Sequence, residues 1–96
     1  MSILRTKLFD VPRPTLLLQL ARGITELTIR SRYYYDQPDG KARLVEGNEA
    51  IHRLNGHLRD LLDPNEELTE SRKDGIVEQL CVLSPPALDR IFSQRT

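Results

Sequence analysis

The sequence predicts an all-α protein, and three observations support this fold class. Leucine accounts for 16 of the 96 residues, whereas valine and isoleucine together account for only 10, a balance that favours helices over strands. Apolar residues recur at alternating steps of three and four over two long stretches, which is the spacing of one helix face. A cluster of turn-forming residues separates the two stretches. Together these features predict an antiparallel helical hairpin and two shorter C-terminal helices in a small bundle.

The first long helix is predicted from about Pro14 to Tyr35. Two prolines, Pro12 and Pro14, precede its apolar positions, and proline suits the first turn of a helix because its ring fixes φ. The main apolar stripe of this helix is formed by Leu17, Leu20, Ile24, Leu27, Ser31 and Tyr34.

The second long helix is predicted from about Lys41 to Leu62. The segment 36–40 before it contains two aspartates, a proline and a glycine, all of which favour a chain reversal. The stripe of the second helix is formed by Leu44, Gly47, Ile51, Leu54, Leu58 and Leu61. At about 1.5 Å per residue, both helices are about 33 Å long. Equal lengths and a short loop predict that they pack antiparallel.

Two shorter helices are predicted after the hairpin. A third apolar stripe lies within Glu70–Leu83, and Thr69 is placed to cap its first turn. The sequence Ser84-Pro85-Pro86 then breaks this helix and can start a last one over Ala87–Ser93.

The first 13 residues are predicted to form an N-terminal arm. They hold several apolar side chains but show no clear helical period, so we expect an arm that docks either on the bundle or on a partner. Residues 14–96 contain no repeat and no linker. They are predicted to form a single helical bundle domain.

Charge and cysteine content restrict the class of protein. The 14 basic and 14 acidic residues give no net charge, so the chain lacks the excess positive charge of a general nucleic-acid or membrane-surface binder. The single cysteine, Cys81, excludes an intramolecular disulfide, and its apolar neighbours predict that it is buried. The run of leucines at 16–18 is too short to span a bilayer. We therefore expect a soluble chain in the reducing cytoplasm, without membrane contact.

The first long helix is apolar on more than one side. Besides the main stripe, it carries a second set of apolar or uncharged residues at Leu16, Leu18, Ala21, Thr25 and Ile29. Either this helix lies centrally in the bundle and contacts several helices, or the second set is buried in a homodimer.

Glycines at positions 23, 47, 56 and 75 lie inside the predicted helices. Each costs about 1 kcal/mol relative to alanine. Because Gly47 lies on the main stripe of the second helix, we expect close helix contact to offset that cost there. At the other three positions we expect the cost simply to be tolerated.

The sequence contains one weak metal-site motif and no recognisable catalytic arrangement. Glu49 and His52 have the Glu-x-x-His spacing of carboxylate-bridged di-iron bundles, but the second motif that such sites need is missing from the sequence. We expect instead that Glu49 pairs with Arg53, four residues later, on a solvated face. His57 follows His52 by five residues and not by the four that would align two ligands. We therefore predict no enzyme, no catalytic residue, no metal and no other cofactor.

The candidate partner-binding residues lie at the end of the first long helix and on the outer face of the second. Arginine and tyrosine are both common in binding hot spots. Alternatively, Tyr34 completes the core at the hairpin end and its neighbours only flank it. The predicted contact residues are Arg30, Arg32, Tyr33, Tyr35, Glu49, His52 and Arg53.

These features favour a non-enzymatic protein–protein interaction module, such as a small regulatory or inhibitory homodimer that covers the surface of a protein partner. One alternative is a nucleic-acid-associated regulator that stacks bases on its basic, tyrosine-rich hairpin end. A second alternative is a metal-binding helical bundle that uses Glu49 and His52. The acidic segment 60–78 is a further candidate surface, for a basic partner.

Overall fold

The computed structural model describes residues 3–93, and these residues fold entirely into helices, turns and short loops, with no strand. The helices are α1 (Ile3–Phe9), α2 (Arg13–Tyr35), α3 (Lys41–Leu61), α4 (Glu70–Leu80) and α5 (Pro85–Phe92). No helix in this part of the chain is both long and apolar enough to cross a membrane. The predicted all-α class, the hairpin and the two short C-terminal helices are therefore confirmed.

The long helices α2 and α3 pack against each other as an antiparallel hairpin, and the predicted turn joins them. The backbone N–H of Gln37 donates to the carbonyl of Tyr34, and that of Gly40 donates to the carbonyl of Gln37, both at 3.1 Å. Gly40 is buried, and a Cβ at this position would overlap the carbonyl oxygen of Tyr34. A glycine is therefore required where the turn leads into α3.

The hydrophobic core lies between one side of the hairpin and the three shorter helices. Its buried side chains are Leu8, Leu16, Leu20, Leu27, Ala50, Leu54, Leu61, Ile76, Leu80, Leu83, Ala87 and Ile91. All five helices contribute to it.

On each long helix, the observed row of buried residues is displaced by one position from the predicted stripe. On α2, Leu16 is buried whereas the predicted Leu17 is only half-buried; on α3, Ala50 is fully buried and Ile51 is half-buried. The short helices cause this rotation, because α5 packs on α2 and α4 packs on α3. A helix that is apolar on several sides does not reveal which side a third element will cover.

The N-terminal arm docks on the bundle, which was one of the two predicted outcomes, and most of it is the helix α1. It packs against α4 and α2, with Leu8 fully buried. Arg5 forms ion pairs with Glu70 and Asp74 of α4. A helix of two turns is too short to show a convincing apolar period, so the sequence did not predict it.

Side-chain caps start both C-terminal helices, as the sequence predicted. The Thr69 hydroxyl accepts a hydrogen bond from the Arg72 N–H at 3.1 Å. The Ser84 hydroxyl accepts one from the Ala87 N–H at 3.4 Å. Each cap satisfies one of the backbone donors that a helix N-terminus leaves free.

Cys81 is exposed, so the prediction of its burial was wrong. It lies directly after the last residue of α4, where the chain turns toward α5. The preceding residue, Leu80, enters the core instead and is fully buried. Apolar neighbours in sequence are a poor guide to burial at a helix end, because the chain direction changes there.

Candidate interaction surface

One side of the α2–α3 hairpin carries no buried side chain. On α2 this side is formed by Leu17, Ala21, Ile24, Thr28, Ser31 and Tyr35. On α3 it is formed by Leu44, Asn48, Ile51, Asn55, Leu58 and Leu62, the last of which caps the helix. All are half-buried or exposed, whereas the other sides of both helices carry the core residues under the short helices. We call this surface the open face.

A groove of about 400 Å³ follows the open face between α2 and α3, near the hairpin turn. Its walls include Tyr35 of α2 and Leu44 and Ile51 of α3. The helices approach closely at its floor, because a Cβ on Gly47 would lie 3.1 Å from the Ser31 Oγ. The expected close contact at Gly47 is therefore confirmed.

The open face contains no charged side chain, although 29% of the chain is charged. A helix side that meets only water normally carries charged residues. Here leucine and isoleucine alternate with Thr28, Asn48 and Asn55, which can hydrogen-bond without a charge. Apolar residues with few charges are characteristic of the central part of a protein–protein interface.

Basic side chains border the open face, and we call Arg32, Lys41 and Arg59 the basic rim. Arg32 lines the groove on α2. Lys41 and Arg59 lie on α3, on the helical line next to Asn48 and Asn55. All three are exposed, and none forms a salt bridge within residues 3–93. None of the three is therefore neutralised by a direct ion pair in this part of the chain, although the exposed Asp36, Asp39 and Asp63 lie in the adjoining loops.

The carboxylates of the hairpin helices lie on other sides and are largely paired. Glu26 pairs with Arg90 of α5 at 2.9 Å, Asp60 with Arg72 of α4 at 3.2 Å, and Glu49 with Arg53 at 3.5 Å. The acidic segment 60–78 is likewise partly neutralised within the chain, by Arg5, Arg72 and Lys73. Its use as a binding surface stays a prediction.

The arginines and tyrosines predicted to bind a partner are divided between two sides of α2. Arg32 and Tyr35 line the groove of the open face. Arg30 and Tyr33 line a separate cleft between α2 and α5, together with Leu83. The two tyrosines are strongly exposed, at 64% and 75%. The four residues therefore do not form one continuous surface.

Tyr34, between these two pairs, has a structural role. Its ring centroid is 5.2 Å from the guanidinium carbons of both Arg30 and Arg43, and Arg43 also donates to its hydroxyl at 2.7 Å. These contacts fix the hairpin end, with Tyr34 half-buried. They favour the interpretation in which Tyr34 completes the packing there.

The three predicted contact residues on α3 also lie outside the open face. Glu49 and Arg53 form the expected ion pair, and the exposed His52 lies between them in sequence. Within residues 3–93, no group of three His, Cys, Asp or Glu side chains is arranged to hold a metal ion. Arg53 instead lines a cleft between α3 and α4.

That cleft contains a polar cluster that sequence reasoning did not identify. Arg72 of α4 donates to Nδ1 of His57 at 3.0 Å and also pairs with Asp60 and Glu66, each at 3.2 Å. A guanidinium can only donate, so Nδ1 of His57 accepts and the ring is neutral. Burial lowers the pKa of His57, the Arg72 charge lowers it further, and Asp60 partly opposes both effects. The cluster joins α3, α4 and the loop between them.

The residues that sequence reasoning missed are the uncharged positions of the open face, above all Thr28 and Asn48. The available signal was the absence of charge along α3 at Leu44, Asn48, Ile51, Asn55, Leu58 and Leu62. The predicted stripe includes Leu44, Ile51 and Leu58 and so places them in the core, and apolar periodicity gives no weight to the asparagines between them.

No family model matches this chain, and neither the curated proteins nor the solved structures include one that is significantly similar to it. Its function must therefore be inferred from the chemistry of its own surfaces. Among them, the open face combines exposed apolar area, hydrogen-bonding groups and a charged border.

Proposed function

We propose that this protein is a non-enzymatic interaction module that binds another protein through the open face of its hairpin. The observation that carries the proposal is the uncharged open face, which follows both helices for about 30 Å at about 1.5 Å per residue. Apolar area removed from water contributes about 25 cal/mol per Å². Leu17, Ile24, Leu44 and Ile51 are half-buried, and the apolar area that they still expose gains this contribution only when a partner covers it.

We further propose that binding regulates or inhibits the partner by covering its surface. A small helical hairpin offers a rigid face, so little conformational entropy is lost on binding. The cytoplasm is the compartment that we propose, because an exposed single thiol such as Cys81 stays free in a reducing environment.

The homodimer, the nucleic-acid interaction and the metal-binding bundle stay predictions. Of these, nucleic-acid binding has one supporting observation, the exposed Tyr35 in the same groove as the unpaired Arg32. Base stacking on tyrosine and phosphate contacts of arginine would make such binding fall steeply with salt.

The proposed function can be tested by native co-purification from the source cells. The wild-type chain is compared with a double variant of the open face, Thr28→Glu with Asn48→Glu. Both positions are exposed, so the substitutions place charge on the face without disturbing the core. The matched control is Ala42→Glu with Ser71→Glu, which makes the same charge change at exposed positions elsewhere.

We expect a stoichiometric protein to be recovered with the wild type and the control, but not with the open-face variant. Nuclease treatment should leave this recovery unchanged. Equal recovery with the open-face variant, or recovery of no protein with any form of the chain, would contradict the proposal.

A further inference from the structure

We infer that the segment bound by the open face is an amphipathic α-helix whose apolar stripe is flanked by carboxylates. This inference rests on the proposed function and specifies the chemistry of the partner. The occupant is thus a helix of another protein that is apolar on one side and acidic along the borders of that side.

The shape of the open face favours a helix. Two antiparallel helices with a groove between them accept a third helix, whose side chains at i, i+3, i+4 and i+7 contact both walls. An extended peptide would need partners for its own backbone N–H and C=O groups. Helices α2 and α3 satisfy their backbone groups internally, so they offer none along the groove.

The length and chemistry of the walls are consistent with this occupant. The open face extends over about 30 Å, which corresponds to about 20 residues of helix. Leu44 and Ile51 line one wall of the groove, and the ring of Tyr35 belongs to the other. Thr28 and Asn48 can hydrogen-bond to polar side chains at the edge of the bound helix.

The basic rim determines the expected charge of the partner. Arg32 borders the groove on the α2 side, and Lys41 and Arg59 border the open face near opposite ends of α3. The carboxylates within the hairpin helices belong to other sides, where Glu26 and Asp60 pair with α5 and α4. The exposed Asp36, Asp39 and Asp63 lie in the loops at the two ends of the hairpin, and within residues 3–93 they form no salt bridge with the rim. Carboxylates along a bound helix would therefore meet unpaired cations on both sides.

A second copy of this chain fits the open face less well. In a symmetric dimer through this face, the Arg32, Lys41 and Arg59 side chains of two molecules would border one interface. Like charges brought together at an interface are unfavourable, and the open face itself brings no acidic residue to offset them. Charge complementarity therefore favours an acidic partner helix over self-association.

The inference can be tested with synthetic peptides and the full chain. Three helical peptides of about 20 residues share one leucine stripe and differ only in the flanking residues, which are glutamate, glutamine or lysine. Fluorescence anisotropy then gives the dissociation constants at low salt and at about 0.3 M salt. We expect the glutamate peptide to bind about tenfold more tightly than the glutamine peptide, and the difference to shrink with salt because the rim is exposed.

Charge reversal of the rim provides a second arm of the same experiment. The variant Arg32→Glu with Arg59→Glu should bind the lysine peptide in preference to the glutamate peptide. The control, Lys7→Glu with Arg53→Glu, makes the same charge change at exposed positions outside the open face. It should retain the wild-type preference, since it leaves the open face and the basic rim unchanged.

Several results would overturn the inference, and the co-purification experiment separates them from a failure of the proposed function. Equal binding of the glutamate and glutamine peptides would show that the rim does not select an acidic partner. Another result is that no peptide binds, although the variant Thr28→Glu with Asn48→Glu no longer recovers the native partner. It would mean that this partner contacts the open face without such a helix. Preferential binding of a single-stranded DNA oligonucleotide, or a dimer abolished by the same two substitutions, would assign the open face to a different occupant.

Discussion

His57 is kept neutral by its surroundings between α3 and α4, and this makes the stability of the protein depend on pH. Burial and the Arg72 charge lower its pKa below the ordinary value of 6.5. The unfolded chain therefore binds more protons at this residue than the folded chain does. The resulting stabilisation is complete well above pH 6.5 and is lost as the pH falls through that value toward the folded pKa.

We expect the free energy of unfolding, measured by chemical denaturation, to decrease between about pH 8 and about pH 5.5. The variant His57→Gln should show a smaller decrease, because it cannot take up a proton. The variant His52→Gln is the control, since His52 is exposed, and it should keep the wild-type dependence. An unchanged pH dependence in His57→Gln would show that His57 is not responsible.

Gly23 of α2 lies close to Leu80 of α4. A Cβ at this position would lie 2.6 Å from Cδ2 of Leu80, which is fully buried. Overpacking of a core costs about 1–3 kcal/mol, which exceeds the gain of about 1 kcal/mol in helix propensity. We therefore expect Gly23→Ala to lower the free energy of unfolding by about 1 kcal/mol.

The matched control for Gly23 is Gly56, since a Cβ there would meet no atom within 4 Å. Gly56→Ala should raise the free energy of unfolding by about 0.5–1 kcal/mol, because only the propensity gain applies. Denaturant midpoints of the two variants give both signs in one experiment. A stabilising Gly23→Ala would mean that Leu80 can move aside at little cost.

At the scale of single residues, the sequence predicted contacts between near neighbours better than contacts between distant elements. The Glu49–Arg53 pair and the Thr69 cap depend only on local spacing, and both are present. The close contact at Gly23 depends on Leu80, which lies far away in sequence. No local pattern indicates such a contact, so the sequence predicts only that the cost of this glycine is tolerated.

Among the helices, α1 shows most clearly how one buried side chain holds an element in place. It has only seven residues, too few to be stable alone, and its one buried residue is Leu8. Replacing a buried leucine by alanine costs about 2–5 kcal/mol. We expect Leu8→Ala to lose stability at the lower end of this range, since α1 can detach without unfolding the hairpin.

The corresponding measurement is urea denaturation combined with amide hydrogen exchange. In Leu8→Ala, the amides of α1 should exchange much faster than in the wild type. The control is Ile3→Ala in the same helix, because Ile3 is 74% exposed and its loss should change stability by less than about 0.5 kcal/mol. Equal effects of the two substitutions would contradict the docking of α1 through Leu8.

The limits of the long helices were predictable from the sequence, whereas the sides that they bury were not. Pro12 and Pro14 at the start of α2 and the turn at 36–40 mark the ends of helices by local chemistry. The buried side of α2 depends on α5, which packs on it but follows much later in the chain. Because α2 is apolar on several sides, the sequence could not show that Leu17 and Ile24 would be only half-buried.

For the whole molecule, the uneven distribution of charge follows from this arrangement of helices. The α1, α4 and α5 helices bring Arg5, Arg72 and Arg90 to carboxylates on neighbouring elements. The open face receives no such partner, and its rim retains unpaired positive charge. The open face is thus defined by the packing of the helices and not by the local sequence. For this reason, only Tyr35 of the predicted contact residues belongs to the open face, and Arg32 borders it.

Site-specific photo-crosslinking in the source cells determines whether the open face contacts another protein. A photoreactive amino acid is introduced at Asn48 on the open face or at Ser71 on α4, both of which are exposed. We predict a discrete crosslinked protein for position 48 and none for position 71. Crosslinking that is equal at both positions, or absent at position 48, would contradict the proposed contact.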